Sequence, residues 1–367
     1  MPGTPLRLAL IAALAITPLV PSLASAQPTA SRDPVIKHEK YVLDNGLEVI
    51  LVPDNSVPIV AVSVWYHVGS GYETVGKSGF AHLFEHMLFQ GSKHTGEDVH
   101  FSILRKAGAS TINGSTNPNR TNYFEVVPSH LLEMVLWLEA DRMGYFLDSV
   151  GFTDKSLANQ RDVVRNERRQ NYDTQPYGKT RFALSAALYP EGHPYRYLTI
   201  GRHEDIEGAS MDDVRKFYKT WYMPANATLT IGGDFDVAAT KELVKKLFAT
   251  FPKSTKPSVV SIPAPTIKST EVTISDSLVK LQQIQVAWHT PALFAPGDAE
   301  LDLAAISLGR EGTGRLYKLL VHEKQLAQSV SVSQNSLGFS SSFVVTVTLR
   351  SGADMAEVKR VSAAAID

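Results

Sequence analysis

The sequence predicts an α+β fold with an internally repeated plan, and three observations carry that reading. Asn45-Gly46 sits between the apolar runs Tyr41-Val42-Leu43 and Leu47 to Val52, which is the signature of two strands joined by a hairpin. Strand-like runs are then followed by a train of amphipathic helical patterns. After a proline-rich stretch, the strand, helix, strand order begins again. The 367 residues, 44% hydrophobic and 20% charged, suit a globular chain of mixed helices and strands in two or three domains.

The N-terminus is of a different kind from the rest. Arg7 precedes the apolar run Leu8 to Val20, and Ala24-Ser25-Ala26 places small residues at a cleavage site, so residues 1–26 read as a secretory signal peptide cut before Gln27. The run is short and broken by proline, which disfavours an uncleaved membrane anchor. A periplasmic or secreted mature chain is expected, with an unstructured lead-in over 27–37. The first domain is expected over 38–251. Its elements are the hairpin, a third strand Ile59 to Tyr66, a Gly-Ser-Gly loop, and an apolar helix ending near Gly91-Ser92 with Ser78 as its N-cap. A polar stretch Gly108 to Asn122 leads into the strand Tyr123 to Val127. Helices are predicted at Ser129 to Met143, Thr153 to Asn171, Thr180 to Leu188, Val214 to Trp221 and Ala238 to Phe251, with a strand at Ala227 to Gly232. Residues 252–269, with four prolines between Pro252 and Pro265, form the linker.

The second domain, 270–367, is predicted to have strands at Glu271 to Ser275, Gln282 to Trp288, Ser329 to Asn335 and Phe343 to Leu349. Between them lie helices at Ala299 to Leu308 and Arg315 to Glu323. Far fewer residues follow Leu349 than follow the matching strand of the first domain. The second copy is therefore expected to be incomplete and to expose apolar surface.

Composition narrows the function. A net charge of −1 and the lack of any basic block argue against nucleic acid or an acidic membrane as partner. There is no cysteine, which excludes a disulfide framework and thiolate ligands, so a metal here must be held by histidine, carboxylate and water. Those groups occur in His82-Leu83-Phe84-Glu85-His86. On a helix the two imidazoles share a face one turn apart, where they can hold one divalent ion, and Glu85 on the same turn can reach a water beside it. The order H-x-x-E-H is the inverzincin arrangement. The bland alternative is two histidines and a glutamate decorating a metal-free helix. Against it stand Phe80, Leu83, Phe84, Met87 and Leu88, which bury the segment and make unpartnered polar groups there costly.

A catalytic zinc takes three protein ligands and leaves one position open. Glu167 is the best third candidate: it follows Val163 and Val164 at helical spacing and so faces inward. Pairing with Arg168 or a distant lysine is an equally good reading of the residues alone. His67, His94, His100 and His193 are read as loop or core histidines.

At this point the chain resembles the M16 metallopeptidases, which include pitrilysin, insulin-degrading enzyme and mitochondrial processing peptidase. The resemblance runs through Gly79 to Gly91, Val163-Val164-Arg165-Asn166-Glu167, Gly192-His193-Pro194-Tyr195 and Tyr222 to Asn226, then Gly314-Arg315-Leu316-Tyr317 and Gln328-Ser329-Val330. It implies duplicated M16-type (LuxS/MPP-like) domains, each a mostly antiparallel sheet packed with helices, the second lacking the metal motif. It also implies one Zn2+ held by His82, His86 and Glu167, with Glu85 as general base in peptide-bond hydrolysis. Many relatives carry a glutamate seven residues before the third ligand; here Gln160 stands there and can orient a neighbour only by hydrogen bonding. The family pattern further implies that Asn113, Gly114, Ser115 and Thr116 form an edge strand that pairs with an extended peptide; the residues alone also allow a simple turn. No Arg and Tyr pair for the oxyanion is found after Arg350. The implied partners are peptide or unfolded polypeptide substrates and a possible homodimer or M16-like heterodimer. A catalytically silent scaffold subunit, or a module that binds peptides without cutting them, is the alternative.

Overall fold

Residues 35–258 and 262–366 are described by a computed structural model, so the predicted signal peptide and most of the lead-in lie outside the described residues. Alternating apolar residues build the first sheet. β1 (Glu39–Val42) and β2 (Glu48–Pro53) pair antiparallel across a turn over 43–47, where Asn45 turns inward and its amide donates to the Phe248 carbonyl (2.7 Å). In β3 (Ile59–Tyr66) every second residue faces the core, with Val60, Val62 and Val64 fully buried.

Two helices follow, α1 (Phe80–Met87) and α2 (Val99–Lys106), before the hairpin of β4 (Thr111–Thr116) and β5 (Thr121–Pro128). The helical layer continues with α3 (Leu132–Tyr145), α4 (Asp154–Arg168), α5 (Gly178–Leu188), α6 (His203–Glu207) and α7 (Met211–Trp221). β6 (Ala227–Gly233) then returns to the middle of the sheet, and α8 (Val237–Phe248) closes the layer. The strand order is β1-β2-β6-β3-β5-β4, antiparallel throughout except for the parallel pair β2 and β6. The core lies between the inner face of this sheet and its helices, and β4 is left as an edge directly beside α1.

Beyond the proline-rich stretch, β7 (Gln283–Thr290), α9 (Asp298–Gly309), the short α10 (Arg315–Tyr317), β8 (Ala327–Asn335), β9 (Ser341–Leu349) and α11 (Met355–Ile366) surround a second core around Leu316, Leu320, Val345, Val347 and Val358. The sheet order β7-β9-β8 repeats the order β3-β5-β4, with the helices again between its first and second strands in sequence. On this half Leu303 and Ile306 of α9 are 68% and 55% exposed.

Two expectations need correction. Glu271 to Ser275 is not a strand; it has no ladder partner, and Glu271 pairs with Lys359. Alternation alone cannot make a strand when no edge is offered to it. Residues 99–106, for which no element was predicted, form α2 and bury His100 and Leu104, four residues apart on one face. Ser78 does not cap α1, for the reason given below.

Candidate metal centre and active site

The motif helix α1 starts without a cap of its own. Gly79 occupies the N-cap at φ +86°, a left-handed conformation, and has no side chain to offer. Ser78 is turned away, its hydroxyl and amide both donating to Asp205 Oδ2 (2.5 and 3.0 Å). The carboxylate of Glu73, from the preceding loop, takes the role: it accepts from the Gly79 amide (2.9 Å) and the Ala81 amide (2.7 Å). A negative group suits the positive end of a helix. Burial nevertheless pushes the Glu73 carboxyl up to about 8, against the pull of these amides. Sequence reasoning missed Glu73 and Asp205 because both act across loops, at separations that no local pattern marks.

From this start α1 buries Leu83, Phe84 and Met87 against the core and turns His82 and His86 outward on one face. Helix α4 packs against α1 and brings Glu167 to both. Its inward stripe runs through Leu157, Gln160, Val164 and Glu167, each a turn from the next. His82 Nε2 and His86 Nε2 lie 3.3 Å apart, and Glu167 Oε2 is 3.4 Å from each. Arg168 does not claim Glu167; it donates to the Gly201 carbonyl (2.7 Å).

These spacings can be tested against a metal. A tetrahedral zinc with bonds of about 2.0–2.1 Å holds its ligand atoms about 3.3–3.5 Å apart, so the three atoms already stand at the corners of such a site. The protonation of His82 and Glu167 suits the same purpose. Burial, helped by His86, pushes the His82 imidazole down to about 4, leaving it neutral. Partial burial works against ionisation of Glu167, but hydrogen bonding and charge from His86 and then His82 hold its carboxyl below the usual range.

Glu85 points toward the edge strand. Its Oε2 accepts from the Thr116 hydroxyl (2.6 Å), and burial raises its pKa above that of an ordinary glutamate despite this bond. Gly114 leaves room for it: a Cβ there would stand 2.9 Å from the Phe89 ring and 3.0 Å from Glu85 Oε1. Gly114→Ala is therefore expected to displace Glu85 and, on the reading of Glu85 as general base, to lower kcat/KM on a fluorogenic peptide about tenfold. An unchanged kcat/KM would show that Glu85 is not held by this contact. Of the other predicted strand residues, Asn113 accepts from the Gly114 amide (2.9 Å) and Ser115 is held by Arg120, which donates to its carbonyl (2.7 Å). Gln160 is buried two turns before Glu167 on α4.

Residues 48–195 match the insulinase family, peptidase family M16, and residues 208–367 match the peptidase M16 inactive domain. The chain belongs to the M16 peptidase family. Zinc protease PqqE of Helicobacter pylori is 33% identical over 79% of this chain, which spans 65% of the length of PqqE. A protease from Helicobacter pylori of known structure has a TM-score of 0.80 at 28% identity, covering 90% of this chain and 79% of its own. The periplasmic protease PqqL from Escherichia coli shares the fold, with a TM-score of 0.70 at 20% identity over 86% of this chain and 35% of its own. PqqE of Helicobacter pylori and YmxG of Bacillus subtilis, 25% identical over 80% of this chain, are zinc proteases by name.

Of the four histidines read as loop or core residues, three have polar partners. His67 contacts Thr228 Oγ1 (3.0 Å), His94 contacts Asp141 Oδ1 (2.5 Å), and His193 accepts from the Tyr195 amide (3.0 Å). His100 lies in a second, fully buried group with Glu125 and Glu139, whose ligand atoms fall within 4.8 Å of one another. A cation already sits there: the Arg142 guanidinium pairs with Glu139. The site that opens to solvent is the one on α1 and α4.

Proposed function

We propose that the chain is a zinc-dependent endopeptidase that hydrolyses peptides bound in extended conformation, with His82, His86 and Glu167 as metal ligands and Glu85 as general base. The observation that carries this reading is the meeting of two imidazole nitrogens and a carboxylate oxygen at 3.3–3.4 Å, beside a sheet edge. Strand β4 ends the sheet order, so its outer side is free to add a peptide strand through Asn113, Gly114, Ser115 and Thr116. Main-chain pairing holds the substrate without reading most side chains, which suits peptides and unfolded polypeptides.

Zinc, when bound, supplies a Lewis acid for the scissile carbonyl and acidifies a water molecule. Glu85 takes the water proton on its carboxylate and passes it to the amine as the C–N bond breaks. The raised pKa of Glu85 moves it toward the range in which both steps proceed. Arg350 donates to the Ala327 carbonyl (3.2 Å) in the second half and offers nothing to an oxyanion. We further propose the division 38–251, 252–269 and 270–367 into catalytic domain, linker and silent domain, a cleaved signal peptide over 1–26, and a periplasmic or secreted location.

The test is metal content together with cleavage of a quenched extended peptide. Purified protein should hold one zinc per chain. A chelator such as 1,10-phenanthroline should abolish cleavage, and added zinc should restore it. Cleavage indifferent to the chelator, or protein that takes up no zinc, would overturn the reading.

A further inference from the structure

We infer that the turn between β8 and β9 in the second half, through Gly338 and Phe339, is a positioning element for the active site of the first half. The inference rests on the reading of His82, Glu85, His86 and Glu167 as that site.

Because β7-β9-β8 repeats β3-β5-β4, the turn at 336–340 is the structural counterpart of the turn at 117–120 between β4 and β5. The two counterparts meet. The Gly338 amide donates to Asn119 Oδ1 (3.1 Å), and Asn119 Nδ2 donates to the Tyr195 hydroxyl (2.8 Å). That hydroxyl also accepts from the Phe339 amide (3.1 Å), so Tyr195, only 4% exposed, is the hub of a small closed network. The Phe339 ring stacks on Tyr195 at 5.2 Å and touches Tyr72 at 5.5 Å. Gly338 cannot be larger without moving Asn119, because a Cβ would stand 2.7 Å from Nδ2.

Two short paths lead from this contact to the chemistry. The 117–120 turn ends β4, and Thr116, the last residue of that strand, holds Glu85 (2.6 Å). The same turn also ties down the loop that bears the helix cap: the Ser70 amide donates to the Asn117 carbonyl (3.2 Å) and the Gly71 amide to the Pro118 carbonyl (2.8 Å). Glu73, two residues on from Gly71, caps α1. A half without a metal motif thereby fixes both the hydroxyl that aims the base and the carboxylate that starts the ligand helix.

The experiment uses the full chain and the variants Phe339→Ala, Phe339→Tyr, Thr116→Val and the double variant Phe339→Ala/Thr116→Val. Phe339→Ala should lower kcat about tenfold with KM within about twofold and zinc content unchanged. Phe339→Tyr, which keeps the ring, should restore most of that loss. The loss in the double variant should be smaller than the product of the single losses, because both act on Glu85 through the same strand end. Amide hydrogen exchange supplies a readout independent of activity: residues 111–120 should exchange faster in Phe339→Ala, while those of β2 and β6 stay as in wild type. Exchange and kcat both near wild type would overturn the inference, as would a uniform rise in exchange with kcat unchanged. A wild-type protein that cuts no peptide would overturn the peptidase reading instead, and the exchange measurement would still decide whether the turn through Gly338 and Phe339 holds the end of β4.

Discussion

Glu85→Gln is expected to cut peptide hydrolysis by about 10²–10⁴-fold while zinc remains bound, because the substitution removes a base and leaves the ligands alone. The amide has nearly the shape of the carboxylate, and its oxygen can still accept from the Thr116 hydroxyl, which stands 2.6 Å from Glu85 Oε2. Nothing in the ligand triangle of His82, His86 and Glu167 depends on Glu85. What is lost is the acceptor for the water proton and, later, the donor to the leaving amine. The paired measurement is zinc by elemental analysis and kcat/KM on a quenched peptide. Zinc lost along with activity would mean that Glu85 shapes the metal site. Activity retained would place the base elsewhere and sink the mechanism.

The parts of this site that were legible in the sequence are those governed by helix geometry. Two histidines four apart share a face whatever surrounds them, and Glu167 was placed inward by Val163 and Val164 before any partner was known. The residues alone could not choose between a metal and Arg168 for Glu167, since that choice depends on how α4 packs on α1. The contacts that hold the site were illegible for the same reason. Glu73 reaches α1 from a loop, and Asp205 draws Ser78 away from the cap from a residue more than a hundred positions distant. Thr116 was read as substrate-binding on family pattern, yet its nearest polar partner is the Glu85 carboxylate. In the fold, β5, β6 and β9 were visible because their apolar residues meet a core. Residues 271–275 have the alternation and lack the edge to pair with, and residues 99–106 alternate like a strand but coil because a helix buries His100 and Leu104 together.

The second large effect is one of stability, and it lies beneath the substrate edge. Arg142 and Glu139 of α3 form an ion pair in which each side chain is under 5% exposed. Glu125 on β5 completes the group; burial, then the charge of Glu139, drives its carboxyl far above the usual range, while Arg142 pulls it the other way. The guanidinium also lies 4.1 Å over the Tyr123 ring and 5.1 Å over Phe89. Arg142→Met strands the Glu139 carboxylate in the core and is expected to cost about 3–5 kcal/mol in urea or guanidinium unfolding. The double variant Glu139→Leu/Arg142→Met removes both charges and should recover most of that loss, because an apolar pair of similar volume avoids the desolvation of two ions. A double variant no more stable than the single one would mean that Arg142 acts chiefly by packing against Tyr123 and Phe89. Either way the active site registers the change, since the Phe89 ring bounds the space beside Gly114 and the Tyr123 hydroxyl donates to the Glu85 carbonyl at 3.4 Å. The ion pair and the base are thus separated by a single layer of aromatic rings, and activity in the refolded double variant measures how much of the base's position that layer sets.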